Sequence, residues 1–267
     1  MLNDITIGQY LPGNSAVHRA DPRVKILLLI AFIVFVFIAD TVTGYVALAG
    51  YVILVAAIAK VPFKMMLKSI RPLRFILVFT MILNVFLLKD GDTLWQWGIL
   101  EITAGGIIYA LRLAARLIIL VMGTSLLTYT TTPIALTDGM ERLLSPLKII
   151  KFPAHELAMM MSIALRMIPT LLEETDKIMK AQKARGASFD TGGLIQRAKA
   201  MVPLLVPLFI NAFRRADDLS MAMESRCYHG GEGRTRMKVL HMGRIDVAAI
   251  TINAALLGII LLGRYLF

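Results

Sequence analysis

Residues 104–127 read AGGIIYALRLAARLIILVMGTSLL, a run in which Arg112 and Arg116 are the only charged side chains. About 20 predominantly apolar residues cross the hydrocarbon core of a bilayer as an α-helix, so this stretch predicts a membrane-spanning helix. Other apolar stretches lie at residues 25–39, 44–59, 73–88 and 247–266. The sequence therefore predicts an all-α integral membrane protein with about five transmembrane helices.

The composition of the whole chain agrees with this prediction. Hydrophobic residues make up 57% of the 267 positions and charged residues only 18%, with a formal net charge of +11. A basic membrane protein of this kind suits an anionic bilayer surface or an acidic protein partner, and no nucleic-acid partner is expected. Cys227 is the only cysteine, which excludes a disulfide framework and a paired-cysteine metal site.

Positive charges alternate between the loops and thereby predict the orientation. One side carries Arg19, Arg23 and Lys25, and then Lys60, Lys64, Lys68, Arg71 and Arg74. The opposite loops carry Asp40, and then Lys89 beside Asp90, Asp92 and Glu101. Because positive loops stay in the cytoplasm, the N-terminus and residues 128–246 are expected inside, in the plasma membrane of a prokaryote. The C-terminus is expected outside.

The predicted domain division follows from this orientation. Residues 1–127 hold the first four transmembrane helices, residues 128–246 form a cytoplasmic domain, and residues 247–267 form the last transmembrane helix. The middle part is too charged for a span and too apolar for a linker, which favours long amphipathic helices. Prolines at possible starts and glycines at possible ends (Pro133, Pro146, Pro153, Gly186 and Gly230) predict helices over 133–144, 153–185 and 191–228. Pro203 and Pro207 predict a kink in the last of these.

Both long helices are predicted to end in an arginine between small residues. The first ends in Ala184-Arg185-Gly186 and the second in Ser225-Arg226-Cys227. Such an arginine can enter a groove of a partner and pair with a carboxylate there, while its small neighbours let the backbones approach. A single arginine at this place is more often a cation that stabilises the helix C-terminus. The repeated pattern favours a docking role.

Three stretches carry a family resemblance: Arg166-Met-Ile-Pro169, Glu173 through Gly186, and Arg214 through Tyr228. Here the sequence resembles the transmembrane T-component (EcfT-type) of energy-coupling factor (ECF) ABC-type importers of vitamins and metals. The resemblance implies two crossed cytoplasmic coupling helices, each docking through its arginine motif into one of two ABC-type ATPase subunits. Residue by residue, this implies docking by Arg185 and Arg226 with their flanking residues. Ser225 and Cys227 depart from the Ala-Arg-Gly pattern but remain small.

The function that follows is that of a non-catalytic coupling subunit. The resemblance implies that it transmits the motion of ATPases holding ATP and magnesium to a membrane-embedded substrate-binding S-component, for vitamin or metal-ion uptake. No cofactor or metal is expected on this chain, since no G-x-x-x-x-G-K-[ST] motif occurs and the four histidines lack metal-ligand spacing. The carboxylate pairs Glu173-Glu174 and Asp217-Asp218 are interpreted as solvated faces.

Methionine content bears on how many S-components are served. Of the 16 methionines, 11 lie between Thr128 and Asp246, including Met159, Met160 and Met161 in a row. Flexible thioether side chains suit a surface that meets several partners, although they also fill gaps in ordinary cores. This favours a shared T-component that serves several S-components. The alternative is a T-component dedicated to one importer of cobalt, nickel or biotin.

Other classes of membrane protein remain as alternatives. A stand-alone secondary transporter would need a polar path through its own spans, for which only Arg112, Arg116 and Asn84 are candidates. For the two arginines, which lie four residues apart in the fourth span, structural pairing or contact with the coupling helices is favoured. A membrane phosphotransferase would need clustered aspartates at the ends of its spans, and the sequence has none there.

Overall fold

The computed structural model describes residues 10–87, 93–97, 100–187, 189, 193–231 and 240–266. Most of these residues are helical. The helices are α1 (Ala16–Arg19), α2 (Pro22–Ile38), α3 (Val42–Ala59), α4 (Phe63–Ile70), α5 (Arg74–Leu87), α6 (Ala104–Thr130), α7 (Pro133–Leu144), α8 (Ala154–Ala184), α9 (Leu194–Ser225) and α10 (Arg244–Leu266). A short antiparallel hairpin of β1 (Thr93–Trp97) and β2 (Leu100–Thr103) connects α5 to α6.

The described chain forms two compact units. The membrane unit contains residues 10–140 and 240–266, and the arm unit contains residues 141–231. The predicted division at residues 128 and 246 concerns the side of the membrane, so it stays a prediction.

Four helical segments of the membrane unit are long and apolar enough to cross a bilayer. They are Val42–Ala59, Phe63–Leu87, Ala104–Thr130 and Arg244–Tyr265. The second arises because α4 passes through a 3₁₀ turn at Arg71–Leu73 directly into α5. The fifth predicted span corresponds to α2, whose 17 residues lie at the short end of the spanning range. The prediction of an all-α membrane protein is confirmed.

Four helices, α2, α3, α6 and α10, enclose the core of the membrane unit. Val36, Leu48 and Ile260 are buried there, and Met66 of α4 closes the core beside α6. Close packing requires a glycine on α6, because a Cβ at Gly123 would overlap the ring of Phe32. The Asn253 amide of α10 donates to the Tyr51 hydroxyl of α3 over 3.2 Å, which satisfies a buried polar pair within this core.

At one end of the membrane unit, a buried carboxylate joins the start of α2 to the start of α10. Asp246, which is 3% exposed, accepts a hydrogen bond from the backbone N–H of Asp21 at 2.7 Å and another from that of Gly243 at 2.8 Å. Asp21 in turn caps α2 and pairs with Arg23 at 2.6 Å. Burial alone would raise the pKa of the Asp21 carboxyl, but the hydrogen bonds from Arg23 and the positive charges of Arg23 and Lys25 together hold the pKa below its ordinary value.

The end of α6 lies at the same end of the membrane unit. The Lys25 ammonium of α2 donates to the carbonyl of Thr130 and to the hydroxyl of Thr131, each over 3.1 Å. The Tyr129 hydroxyl contacts the Ser69 hydroxyl of α4 at 2.6 Å, which places the basic helix α4 at this end too. The starts of α2 and α10, helix α4 and the end of α6 therefore lie at one end of the membrane unit.

Arg116 is paired within the membrane unit. Its guanidinium donates to the carbonyl of Ala39 at 3.3 Å, pairs with Asp40 at 3.4 Å and lies 5.7 Å from the ring centre of Phe37. The acidic partner lies in the loop between α2 and α3 and not in a span, which is why a search along the spans missed it. Arg112 is exposed on α6. Arg116 thus shows the structural pairing that the sequence favoured.

Some sequence-based boundaries were wrong. The hairpin β1–β2 was not expected, and Pro146 lies in the first turn of a 3₁₀ helix (Ser145–Ile150), a segment over which no helix was predicted. The helix predicted over 133–144 is confirmed, whereas α8 and α9 are shorter than predicted. Asp90, Asp92 and Thr191, which entered the predictions of orientation and helix start, lie outside the described residues.

We expect Asp246→Ala to lower the free energy of unfolding of the membrane unit by about 2 kcal/mol, because it leaves the buried N–H of Asp21 without an acceptor. Reversible unfolding in mixed detergent micelles measures the change. Asp218→Ala, at an exposed aspartate of α9, is the matched control and should change stability by less than about 0.5 kcal/mol. Equal stability of Asp246→Ala and the control would contradict the structural role of Asp246.

Candidate functional site

The arm unit is built from two long helices of nearly equal length. Helix α8 has 31 residues and α9 has 32, each with proline inside the helix and an arginine at the C-cap position. Helix α8 is also fixed at its start, where the His155 imidazole contacts the Glu141 carboxylate at 3.0 Å. The arginines therefore lie at the ends of helices that are about 45 Å long each.

Helix α8 ends in a Schellman motif. The N–H of Ala187 donates to the carbonyl of Gln182 at 3.0 Å, and the N–H of Gly186 donates to that of Lys183 at 3.0 Å. Gly186 has φ of +90°, a left-handed conformation that glycine adopts without a steric cost. Arg185 immediately precedes this turn, with φ −84° and ψ 5°.

Helix α9 ends in the same way, although it lacks the glycine. The N–H of Tyr228 donates to the carbonyl of Met223 at 3.0 Å, and the N–H of Cys227 donates to that of Glu224 at 2.9 Å. Arg226 has φ −94° and ψ 14°, close to the values of Arg185. Cys227 takes the left-handed position with φ of +54°. The predicted end at Tyr228 and Gly230 was wrong because a cysteine and not a glycine makes this turn.

All six residues of the two triplets are exposed in the structure. They lie at two separate helix ends: Ala184, Arg185 and Gly186 on one, and Ser225, Arg226 and Cys227 on the other. Each end offers a positive, planar hydrogen-bond donor above a backbone turn of the same shape. The geometry suits a pair of similar, acidic grooves on partners. Docking itself stays a prediction.

A contact between α8 and α9 was missed from the sequence. The Asn211 amide donates to one carboxylate oxygen of Glu174 at 3.1 Å, and Arg215 lies 3.6 Å from the other. The interpretation of Glu173-Glu174 as a solvated face was therefore wrong for Glu174, which is half-buried, while Glu173 is exposed. No local pattern indicates this contact, because its partners lie 37 and more residues apart.

An apolar stripe runs along the exposed side of α9. It contains Val202, Leu205, Val206, Phe209, Ile210 and Phe213, each about half exposed or more. Phe209 and Phe213 stack with ring centres 6.5 Å apart. The spacing of three and four residues keeps the stripe on one face of the helix. Exposed methionines at 160, 161, 201 and 221 add flexible apolar surface to the arm unit.

Among the described residues, no group of three or more His, Cys, Asp and Glu side chains is placed to hold a metal ion. The membrane unit contains a cavity of about 320 Å³ between α2, α3, α6 and α10, and its walls are almost entirely apolar. Neither feature forms a polar site for a substrate in the described part of the chain.

The structure thus defines a helical membrane protein whose second unit displays two exposed, arginine-ended helices. Comparison with known proteins agrees. Residues 13–237 match the family model of CbiQ, described as a cobalt transport protein. The chain therefore belongs to the CbiQ/EcfT family of energy-coupling factor transporter transmembrane proteins, which confirms the resemblance seen in the sequence.

Relatives of this family match along nearly the whole chain. The energy-coupling factor transporter transmembrane protein EcfT of Ruminiclostridium cellulolyticum is 54% identical over 267 residues, covering 100% of both chains. Proteins of the same name from Thermosediminibacter oceani and Bacillus subtilis are 58% and 48% identical, covering 93% and 94% of both chains.

The two helix ends should respond oppositely to substitution. Gly186→Ala places a Cβ in a left-handed position at a cost of about 1 kcal/mol, although the space around it is open. Cys227→Gly relieves the same strain at the other end. We expect hydrogen exchange of the amides at 186–187 to speed up about fivefold in the first variant, and that at 227–228 to slow in the second.

Gly193→Ala is the control for these variants, because Gly193 has φ of −72°, which alanine adopts freely. It should leave the exchange at both ends unchanged. Unchanged exchange at 186–187 in Gly186→Ala would contradict the left-handed turn after Arg185.

Proposed function

We propose that this chain is the transmembrane coupling subunit of an ECF-type ABC importer, which passes the motion of two ABC-type ATPases to a substrate-binding S-component for vitamin or metal-ion uptake. The observation that carries the proposal is the matched pair of exposed arginines at Schellman-closed helix ends. The chain acts as a non-catalytic subunit, and ATP with magnesium binds to the ATPases.

Docking by Arg185 and Arg226 follows from their geometry. Each guanidinium lies beyond the last helical turn, free of the carboxylates of its own helix among the described residues. A carboxylate in an ATPase groove would form a two-pronged pair with it, and desolvation on docking would strengthen that pair. The same backbone turn behind each arginine suits two ATPases that present similar grooves.

The proposed S-component contact is the apolar stripe of α9. Its half-exposed side chains would otherwise face water or headgroups, whereas an apolar membrane partner would cover them. Because Phe209, Ile210 and Phe213 lie on the same side of Pro207 as Arg226, movement of the arginine end would move this part of the stripe. Such movement would link ATPase closure to the S-component.

The charge distribution supports a cytoplasmic position for the arginine ends, in the plasma membrane of a prokaryote. Basic residues of α4 and of the α2 start lie at the membrane-unit end that also holds the end of α6. The chain leaves α6 at this end and continues into α7. Positive charge is retained inside, so the ATPases would meet the arm unit in the cytoplasm.

A shared T-component is favoured over a dedicated one because of the exposed methionines. Met160, Met161, Met201 and Met221 are each about half exposed or more, so they are not filling a core of the described chain. A dedicated importer for cobalt, nickel or biotin remains the alternative. The family description names cobalt transport, and the relatives' names specify no substrate.

The structure gives little support to a stand-alone secondary transporter. Of the three candidates for a polar path, Arg116 pairs with Asp40, and the Asn84 amide donates to the carbonyl of Thr80 of its own helix at 2.8 Å. Arg112 is exposed on α6. Purified chain in liposomes should therefore show no substrate uptake without ATPases, and uptake by the chain alone would favour the transporter.

The double variant Arg185→Glu with Arg226→Glu should lose both ATPases, because each new carboxylate would face an acidic groove. We expect at least about a hundredfold loss of ATPase recovery when the tagged chain is purified from its membrane in mild detergent. The variant should still insert and retain its S-component.

Lys177→Glu with Arg214→Glu is the matched control, since both residues are exposed cations of the same two helices. It makes the same change in net charge but should keep the ATPases. Normal ATPase retention in the Arg185→Glu, Arg226→Glu variant would refute the docking role.

Phe213→Glu should have the opposite effect to the Arg185→Glu, Arg226→Glu variant. A carboxylate at the end of the apolar stripe cannot be desolvated cheaply, so the S-component should be lost while the ATPases remain. Quantitative mass spectrometry of the purified complex measures both partners. Retention of the S-component would show that it docks elsewhere than on α9.

The unmodified complex distinguishes a shared from a dedicated T-component. Recovery of several different small membrane proteins would indicate a shared T-component, and recovery of one alone would indicate a dedicated T-component.

A further inference from the structure

The contact between α8 and α9 occupies both oxygens of one carboxylate. Glu174 accepts from Asn211 at 3.1 Å through one oxygen and lies 3.6 Å from the Arg215 guanidinium through the other. Asn211 and Arg215 are four residues apart, so they lie on one face of α9. A single residue of α8 therefore contacts two successive turns of α9, which restrains both sliding and rotation.

The last contact residue of each helix lies the same number of residues before its arginine. Arg185 follows Glu174 by 11 residues, and Arg226 follows Arg215 by 11 residues. Eleven residues correspond to about three turns and about 16 Å, so each arginine lies near the helix face that carries its contact residue. The two segments beyond the contact are thus equal in length and in rotation.

Prolines precede the contact in both helices. Pro169 lies five residues before Glu174, and Pro207 lies four residues before Asn211. A proline lacks the N–H that would bond to the carbonyl four residues earlier, which makes bending easiest there. The part of each helix that carries the arginine is therefore joined to the rest at a weak point, directly before the contact with the other helix.

We propose that Glu174, with Asn211 and Arg215, is the pivot that fixes the two arginine-ended segments relative to each other. A half-exposed ion pair with one hydrogen bond contributes little to global stability, so its effect is on geometry. The pivot keeps the spacing of Arg185 and Arg226 constant while the helices bend at their prolines. The role of the pivot in transport rests on the proposed docking of ATPases. Its effect on the helix geometry can be tested on this chain alone.

The test measures the distance between the two helix ends in the full-length chain in lipid nanodiscs. Cys227 is the only cysteine and is exposed, so it takes one spin label, and Lys183→Cys provides the second site. Double electron–electron resonance should give one narrow distance population. In Glu174→Ala, the fraction of molecules outside this narrow distance population should increase about fivefold. This is the change expected from losing one half-exposed pair.

Glu173→Ala is the matched control, because it removes the same side chain from the exposed neighbouring position. It should leave the distance distribution unchanged. The exchange of charges in Glu174→Arg with Arg215→Glu should restore most of the narrow population. If Glu174→Ala does not fold, Arg215→Gln replaces it with the same expectation. The proposed pivot is refuted if the distance distribution is unchanged in the Glu174 or Arg215 variant. It is also refuted if Glu173→Ala broadens the distribution equally.

The outcome is separable from that of the proposed function. Failure of the unmodified chain to retain ATPases would refute docking and leave the distance result as it stands. An unchanged distance in Glu174→Ala would refute the pivot and leave docking intact. If both hold, Glu174→Ala should retain its ATPases while ATP-driven uptake by the reconstituted complex falls severalfold, and Glu173→Ala should match the unmodified complex.

Discussion

Every helix leaves four N–H groups and four carbonyls without partners at its ends, and the way these groups are satisfied shapes both units of this protein. In the membrane unit, side chains from distant helices satisfy them: Asp246 accepts from the starts of α2 and α10, and Lys25 donates to the end of α6. These contacts fix the order in which the helices pack. In the arm unit, the chain satisfies its own carbonyls by turning left-handed after each arginine. The need to satisfy these backbone groups thus joins the helices of the membrane unit. In the arm unit it is met locally, which leaves the helix ends exposed.

The fold was predictable where the signal is local. Apolar runs of spanning length predict the membrane helices because no other structure satisfies the backbone in hydrocarbon, and Pro133 marks the start of α7. The arginine triplets were also visible, since they repeat a short pattern. Asp246, Glu174 and Asp40 were missed because their roles depend on partners that become neighbours only after folding. Cys227 was missed for a different reason: glycine is the usual residue of a left-handed turn, so a cysteine gives no signal there.

The arm unit combines stiffness with limited bending. Long helices transmit a push along their axes, and local breaks in their hydrogen bonding let them bend. Prolines inside each helix weaken the bonding locally, while the residues after them contact the neighbouring helix. Bending is thereby confined to a region away from the arginines. Each end keeps the same backbone turn while the helices change their tilt, which suits the proposed docking of both ends.

The hydrogen bond between Asp21 and Asp246 spans 225 residues, nearly the whole chain. During synthesis, the ribosome delivers α2 long before α10, so the N–H of Asp21 meets its acceptor only when the last helix has entered the bilayer. Until then, the first helices lack a partner that their packed state requires. Completion of the membrane unit is thereby tied to the synthesis of α10. A chain that stops before α10 therefore leaves the N–H of Asp21 without its acceptor and the core without Ile260.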